Sequence, residues 1–137
     1  MTQQDQYNEL SYYTLAHAGK DFIHQHFVDA YTAQTADEKV KPIAIFFALA
    51  GLYLFTIKKN SGRQVQSAHL KMAKKTKDFV RIILPDRRGE ITIDDVLRTT
   101  AGSARDEMIK QWCISVWNAF SKEHDKVIMQ TEKLLAN

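Results

Sequence analysis

The hydrophobic residues of this chain recur at intervals of three and four positions over most of its length, a spacing that predicts α-helices. Pro42 stands near the start of one such segment, where its missing N–H costs little. The chain is therefore expected to be helical nearly throughout. Helices are predicted over about 7–17, 22–34, 42–59 and 63–78, followed by one long amphipathic helix over about 103–135.

Two short segments depart from this spacing. VRIIL, residues 80–84, is apolar and β-branched, so a strand and a helix both remain open for it. ITIDDVL, residues 91–97, is either a short strand or a short helix capped by Thr92. Asp94 and Asp95 would lie in the first turn of that helix, which favours the helical interpretation.

The most apolar run is IAIFFALAGLYLFTI, residues 43–57. It is shorter than the roughly 20 residues that a membrane span needs, and lysines flank it at both ends. We therefore expect a buried central helix and no membrane partner. The predicted fold is all-α: a compact bundle of five or six helices around the apolar helix at about 42–59, in a single domain over 1–137.

Composition excludes several classes of protein. The chain has 137 residues, of which 45% are hydrophobic and 26% charged, as in an ordinary globular domain. Its one cysteine, Cys113, leaves no internal disulfide and no cysteine-rich zinc site. The first residues, MTQQDQYNEL, lack the basic and apolar regions of a secretory signal. These features together predict a cytoplasmic protein.

The formal net charge is only +3, although basic residues cluster in KMAKKTKDFVR (71–81) and DRRGE (86–90). A single-stranded nucleic-acid site needs aromatic side chains among its basic residues, and the first cluster offers only Phe79. We interpret the clusters as a solvated helix face and a charged turn. Nucleic acid is not a favoured partner.

Three histidines on three predicted helices face inward on a helical wheel. His24 lies at the edge of the core-facing stripe, His69 lies inside the apolar stripe of its helix, and His17 ends the first helix on its apolar side. Together they suggest a site for a divalent transition metal, although their spacing matches no known metal motif. The alternative is a neutral core histidine bonded to a carbonyl or hydroxyl. His26 points away from His24 and is predicted at the surface.

Other chemistry is less well supported. Asp29 would orient a ligand histidine or act as a base, or alternatively form an ion pair with a basic residue of a neighbouring helix. The chain has no glycine-rich phosphate loop and no nucleophile elbow. Cys113 lies between Trp112 and Ile114 in an apolar helix, so we expect a buried side chain rather than a nucleophile.

Several of these segments resemble an uncharacterised family of small bacterial proteins, a domain of unknown function. The resemblance spans about residues 9–120 and includes ELSYYTLAH, KPIAIFFALAGLYL, GRQVQSAHLKMAK and WCISVW. Its most specific part is the HQ, VDAY and Q pattern within FIHQHFVDAYTAQ, residues 22–34. The resemblance implies no activity, cofactor or partner. It does stress nine polar positions: His17, His24, Gln25, Asp29, Tyr31, Gln34, Arg63, Gln66 and His69.

The resulting prediction is a helical domain of unknown function with a histidine-lined internal polar pocket between the second and fourth helices. The nine positions would line it, binding a small ligand or, through His17, His24 and His69, a divalent metal. Arg63 would hold an acidic group of the ligand. The alternative is a non-catalytic homodimeric interaction module, built on the apolar 43–57 segment and the C-terminal helix. Whether the pocket catalyses a reaction is left open.

Overall fold

The computed structural model of the chain describes residues 1–17, 21–75 and 77–136, and these segments form seven α-helices and no β-strand. The predicted all-α fold is confirmed. The helices are α1 (Gln3–Ala16), α2 (Ile23–Thr35), α3 (Pro42–Thr56), α4 (Gly62–Lys75), α5 (Ile93–Arg98), α6 (Ser103–Ala119) and α7 (His124–Leu135).

Three helices begin at signals that are readable in the sequence. Thr2 caps α1, because its Oγ1 accepts a hydrogen bond from the Asp5 amide and the Asp5 carboxylate accepts one from the Thr2 amide, both at 3.0 Å. The Asp95 carboxylate accepts from the Thr92 amide at 2.9 Å at the start of α5. Pro42 is the first residue of α3. The helical interpretation of the α5 segment is therefore confirmed.

The centre of the fold is an antiparallel pair formed by α2 and α3. His26 of α2 lies against Phe55, and Asp29 lies against Gly51, so the two helices run in opposite directions. α2 also contacts α1, α4 and α6, whereas α3 contacts α4, α6 and α7. Most of the apolar run of α3 is buried, as predicted, and each large side chain buried there stabilises the fold by about 1.5–3 kcal/mol. Within the described residues, no helix combines the length and apolar character that crossing a bilayer requires.

The long C-terminal helix predicted over 103–135 is interrupted. α6 ends at Ala119, and a turn of 3₁₀ helix, Ser121–Glu123, precedes α7. The buried Phe120 donates its amide to the Trp117 carbonyl, three residues back, at 3.1 Å. The His124 ring stacks on Trp117 and its Nε2 donates to the same carbonyl at 2.8 Å. Because the Trp117 carbonyl accepts these two hydrogen bonds instead of the regular α-helical bond from the amide four residues later, the α-helix ends.

The segment 80–84 is neither a strand nor a helix. It runs irregularly past the C-terminal helices, whose side chains take up its backbone amides. Gln130 Oε1 accepts from the Val80 amide at 2.8 Å, and Glu123 Oε1 accepts from the Ile83 amide at 2.7 Å. The described residues contain no β-strand that could pair with this segment, so side chains accept the hydrogen bonds from its amides instead.

The C-terminal end of α2 is fastened by two polar side chains. Arg88 caps the helix, because its Nη1 donates to the carbonyls of Gln34, at 3.3 Å, and of Ala36. The Gln34 amide donates to the Ile91 carbonyl at 2.7 Å and accepts from Trp112 Nε1 at 3.0 Å. Gln34 therefore joins α2 to α6 and to the loop that precedes α5.

We expect Gln34→Met to lower the free energy of unfolding by about 3 kcal/mol, because the variant leaves the Trp112 indole N–H and the Ile91 carbonyl without their partner. Urea unfolding followed by circular dichroism measures the change. Gln66→Met is the matched control, since Gln66 is exposed on α4 and its loss should change stability by less than about 0.5 kcal/mol. Equal stability of the two variants would contradict the structural role of Gln34.

Candidate functional site

The face of α2 that packs on α3 carries two polar residues, His26 and Asp29, about one turn apart. Opposite them on α3 are Phe55 and Gly51, which are also one turn apart. His69 of α4 approaches Gly51 from a third side. We call these five residues the polar seam. Its three titratable groups, His26, Asp29 and His69, lie against a core that is largely apolar.

Asp29 is the most unusual member of the polar seam. The residue is only 3% exposed, and its Oδ1 accepts a hydrogen bond from Gln25 Nε2 at 3.1 Å. Its Oδ2 is buried and has no hydrogen-bond partner among the described residues. Buried polar atoms in proteins are normally paired, so an unpaired carboxyl oxygen at this position requires a physical explanation.

Gly51 makes room for the Asp29 carboxyl. A Cβ atom at position 51 would lie 2.7 Å from Asp29 Cγ and 3.2 Å from His69 Nε2, and Asp29 Oδ2 would be closer still. Only a residue without a side chain therefore lets the carboxyl and the imidazole reach the backbone of α3 together. His69 Nε2 donates to the Phe47 carbonyl of α3 at 2.8 Å, which fixes the position of its ring.

Burial disfavours the charged forms of the titratable groups in the polar seam. It raises the pKa of the Asp29 carboxyl well above the ordinary value, an effect that the Gln25 amide opposes. Burial lowers the pKa of His69, and the bond to the Phe47 carbonyl works in the other direction. Among the described residues, no lysine or arginine forms an ion pair with Asp29. The alternative prediction, an ion pair between Asp29 and a basic residue of a neighbouring helix, is therefore wrong.

His26 is buried, and its predicted surface position is wrong. It is 2% exposed, and its ring stacks on Phe55 with centroids 3.5 Å apart and planes 11° apart. Its Nδ1 has no hydrogen-bond partner among the described residues, and burial lowers its pKa to about 4. The buried Cys113 thiol of α6 donates to the His26 carbonyl at 3.5 Å. The expectation of a buried Cys113 is thus confirmed, and burial raises the pKa of its thiol well above the ordinary value.

A cleft of about 510 Å³ ends on the polar seam, and we call it the charged cleft. Its floor includes His26 and Phe55, and its walls come from the end of α3 and the beginnings of α2, α4 and α6. Its volume lies within the range of about 300–1,000 Å³ that is usual for small-molecule sites. His26 and Phe55 are therefore the residues of the polar seam that line the charged cleft.

The rim of the charged cleft carries both signs of charge. Lys59 and Lys110 are its cations, and Asp21, Asp106 and Glu107 are its carboxylates. The Asp106 carboxylate already accepts from the Tyr13 hydroxyl at 2.7 Å, and the Lys59 ammonium donates to the Thr56 carbonyl at 3.0 Å. Lys110 has no hydrogen-bond or ion-pair partner in the described segments. Sequence reasoning missed this group because its members come from three separate segments.

The histidines of the predicted metal site have separate local partners. The exposed His17 donates from Nδ1 to the Tyr13 carbonyl at 2.8 Å. His24 Nδ1 lies 2.9 Å from the Thr14 hydroxyl of α1, whereas His69 bonds to α3. In the described part of the chain, no group of three or more histidine, cysteine, aspartate or glutamate side chains is arranged to hold a metal ion.

The other positions that the resemblance stresses are also dispersed. Tyr31 packs edge-on against the Tyr7 ring and shares a different cleft, of about 480 Å³, with Gln34. Arg63 lies over the ring of Phe22 with its guanidinium carbon 5.1 Å from the centroid, and Gln66 is exposed. The structure thus brings together three of the nine positions, and these are Gln25, Asp29 and His69.

The sequence profile of a family of unknown function, DUF5946, matches residues 4–121. The chain belongs to this family. The match confirms the resemblance to a family of unknown function. All residues of the polar seam and of the charged cleft lie within the matched range. No curated protein and no solved structure shows a match to the chain.

We expect Gly51→Ala to destabilise the fold by about 2–3 kcal/mol, because the added methyl group meets the Asp29 carboxyl. A loss of stability would be informative, because alanine stabilises an α-helix relative to glycine by about 1 kcal/mol where space is available. Urea unfolding is the measurement. The double variant Gly51→Ala/Asp29→Ala should recover part of the loss by removing the carboxyl. A Gly51→Ala protein as stable as the parent would contradict the close approach.

The polar seam also predicts a dependence of stability on pH. An unfolded histidine binds its proton near pH 6.5, whereas folded His26 remains neutral down to about pH 4. The unfolded chain therefore binds more protons in this interval, and His26 lowers stability as the pH falls through it, by about 3 kcal/mol in total. Unfolding of the parent and of His26→Leu, compared between pH 7 and 4, isolates this contribution.

Asp29 should act in the opposite direction. Its raised pKa means that the folded carboxyl stays protonated at pH values where an unfolded aspartate, with a pKa of 3.8, has ionised. Its contribution to stability is present at low pH and is lost as the pH rises. The Asp29→Asn protein should therefore gain stability relative to the parent as the pH increases above about 4. A constant difference would show that Asp29 titrates normally.

Proposed function

We propose that this chain binds a small zwitterionic molecule in the charged cleft. The observation that carries the proposal is the buried imidazole of His26, whose Nδ1 lacks a hydrogen-bond partner among the described residues, at the floor of a cleft with a rim of both charges. The proposal keeps the idea of a polar pocket that holds a small ligand. It places that pocket at the end of the α2–α3 pair.

The chemistry of the floor supports a compact ligand with a polar group at its inner end. His26 is neutral at physiological pH because burial lowers its pKa to about 4. A neutral imidazole accepts one hydrogen bond and donates another, so it suits a carboxylate, carbonyl or hydroxyl of the ligand without adding charge to the core. The stacked Phe55 ring holds the imidazole in place.

The rim supports a ligand with both charges. Lys59 and Lys110 attract an anionic group, while Asp21 and Glu107 attract a cationic one. A ligand with a single charge would meet rim groups of its own sign, which lowers its affinity. An amino acid carries an ammonium and a carboxylate on one small body and is the simplest chemical class with this pattern.

The two alternatives from the sequence draw less support. A divalent metal at His17, His24 and His69 would need three rings at one point, whereas each has its own partner in the described chain. A homodimer built on the 43–57 segment and the C-terminal helix would need free apolar side chains on both, and most of those in α3 are buried within the chain. Both ideas remain predictions.

Titration of the ¹⁵N-labelled protein with free amino acids, followed by NMR, tests the proposal. At least one amino acid should shift amide resonances of residues around His26 and Lys110. It should bind about tenfold more tightly than its decarboxylated amine or its deaminated acid, because each loses one charge-assisted contact. His26→Leu and Lys110→Gln should each weaken binding.

Lys122→Gln is the matched control, since Lys122 is an exposed lysine that does not line the charged cleft. Its binding constants should equal those of the parent. The proposal is wrong if no amino acid shifts the resonances of the charged cleft. It is equally wrong if the singly charged analogues bind as tightly as the amino acids.

A further inference from the structure

Lys75, Asp78 and Val80, from the lysine-rich part of the sequence, form one wall of a groove, and α7 forms the other. The groove has a volume of about 530 Å³ and combines apolar and basic side chains. We call it the lysine groove. Its main lining residues are Lys75, Val80, Lys126, Met129, Lys133 and Leu134. It involves none of the residues of the polar seam or of the charged cleft.

The apolar part of the lysine groove is centred on Met129. This side chain is 74% exposed, an unusual degree of exposure for a large apolar residue. Val80 and Leu134 line the same groove and are largely buried. Methionine is flexible and polarizable, so it adapts to apolar side chains of different shape. The centre of the groove is therefore suited to one large apolar side chain of a partner.

The basic part of the lysine groove surrounds this apolar centre. Lys75 and Lys133 are exposed, and Lys126 pairs with Glu123 at 2.6 Å. The row continues to Lys71, whose Nζ donates to the Leu135 carbonyl at 3.2 Å. Asp78 is the acidic side chain among the lining residues. The balance of charge is positive, so the groove favours a partner with acidic groups.

The walls of the lysine groove are held in place. The Gln130 side-chain amide accepts from the Val80 amide and donates to the Asp78 carbonyl, both at 2.8 Å. Lys126 Nζ donates to the Arg81 carbonyl at 2.8 Å. These three bonds fasten the irregular segment to α7, and a groove that is already formed loses little entropy when a partner binds.

The chemistry of the groove discriminates among acidic partners. Single-stranded nucleic acid needs exposed aromatic rings, but Phe79 packs against Phe46 and Phe47 with centroids 5.2 Å from each. A membrane surface is flat, whereas the lysine groove is concave. We infer that the lysine groove binds an acidic peptide segment of a partner protein, with one large apolar side chain seated against Met129 and carboxylates beside Lys75 and Lys133.

Selection from a phage-displayed library of random linear peptides, with the full chain as bait, tests the inference. The selected peptides should share a large apolar residue flanked by aspartate or glutamate. A synthetic peptide of that consensus, labelled with a fluorophore, should bind the chain in an anisotropy titration. Lys133→Glu and Met129→Ser should each weaken binding by about tenfold, and binding should weaken as salt increases.

Lys39→Glu is the control for net charge, because Lys39 is exposed and lies outside the groove. It should bind the peptide as the parent does. Since Lys133 and Met129 are both exposed, thermal unfolding should show that all variants fold. The inference is overturned if no acidic consensus emerges, or if Lys133→Glu and Met129→Ser bind the peptide unchanged. It is also overturned if the chain binds oligouridylate or phosphatidylserine vesicles through the same two residues.

Discussion

The close approach of α2 to α3 at Gly51 is the constraint on which the rest of the molecule depends. A carboxyl group on α2 occupies the space that a side chain on α3 would fill, so the two helices can pack only with glycine at this position. One turn further along, the same register places His26 on Phe55 and forms the floor of the charged cleft. The packing of the core and the position of the proposed site thus have one origin.

Burial without ion pairing gives this core an unusual electrostatic character. Desolvation raises the pKa of Asp29 and lowers the pKa values of His26 and His69, because it opposes the charged form of each. Within the charged cleft, the charged side chains lie on the rim, where water screens them. The floor therefore distinguishes ligands by hydrogen bonds and shape, whereas the rim distinguishes them by charge.

The sequence predicts the helical class well, because spacing and capping are local properties. Pro42 and Thr92 mark helix starts, and the apolar run of α3 is buried in the centre. The error at His26 has a tertiary cause: a helical wheel shows one apolar face, but α2 contacts four other helices and is buried on several sides. Gly51 is the signal that could have revealed the seam, as a glycine inside an apolar helix often marks a close approach.

The charged cleft and the helix interruption after Ala119 could not be predicted from the sequence, because both depend on tertiary contacts. The rim residues come from three separate segments and become neighbours only in the folded chain, and the turn at Phe120 depends on the position of the Trp117 and His124 rings. The family resemblance stresses Gln34 without saying why. The structure supplies a reason that involves no ligand, since Gln34 bonds α6 and the loop before α5.

The cap on α2 has a consequence for the order in which the chain acquires its structure. The Gln34 carbonyl at the end of this helix accepts a hydrogen bond from the guanidinium of Arg88, and the Gln34 side chain accepts one from the Trp112 indole. A nascent chain that has left the ribosome only as far as α4 contains neither partner. We therefore expect the central helix pair to gain its full stability only after Arg88 and Trp112 have been synthesised.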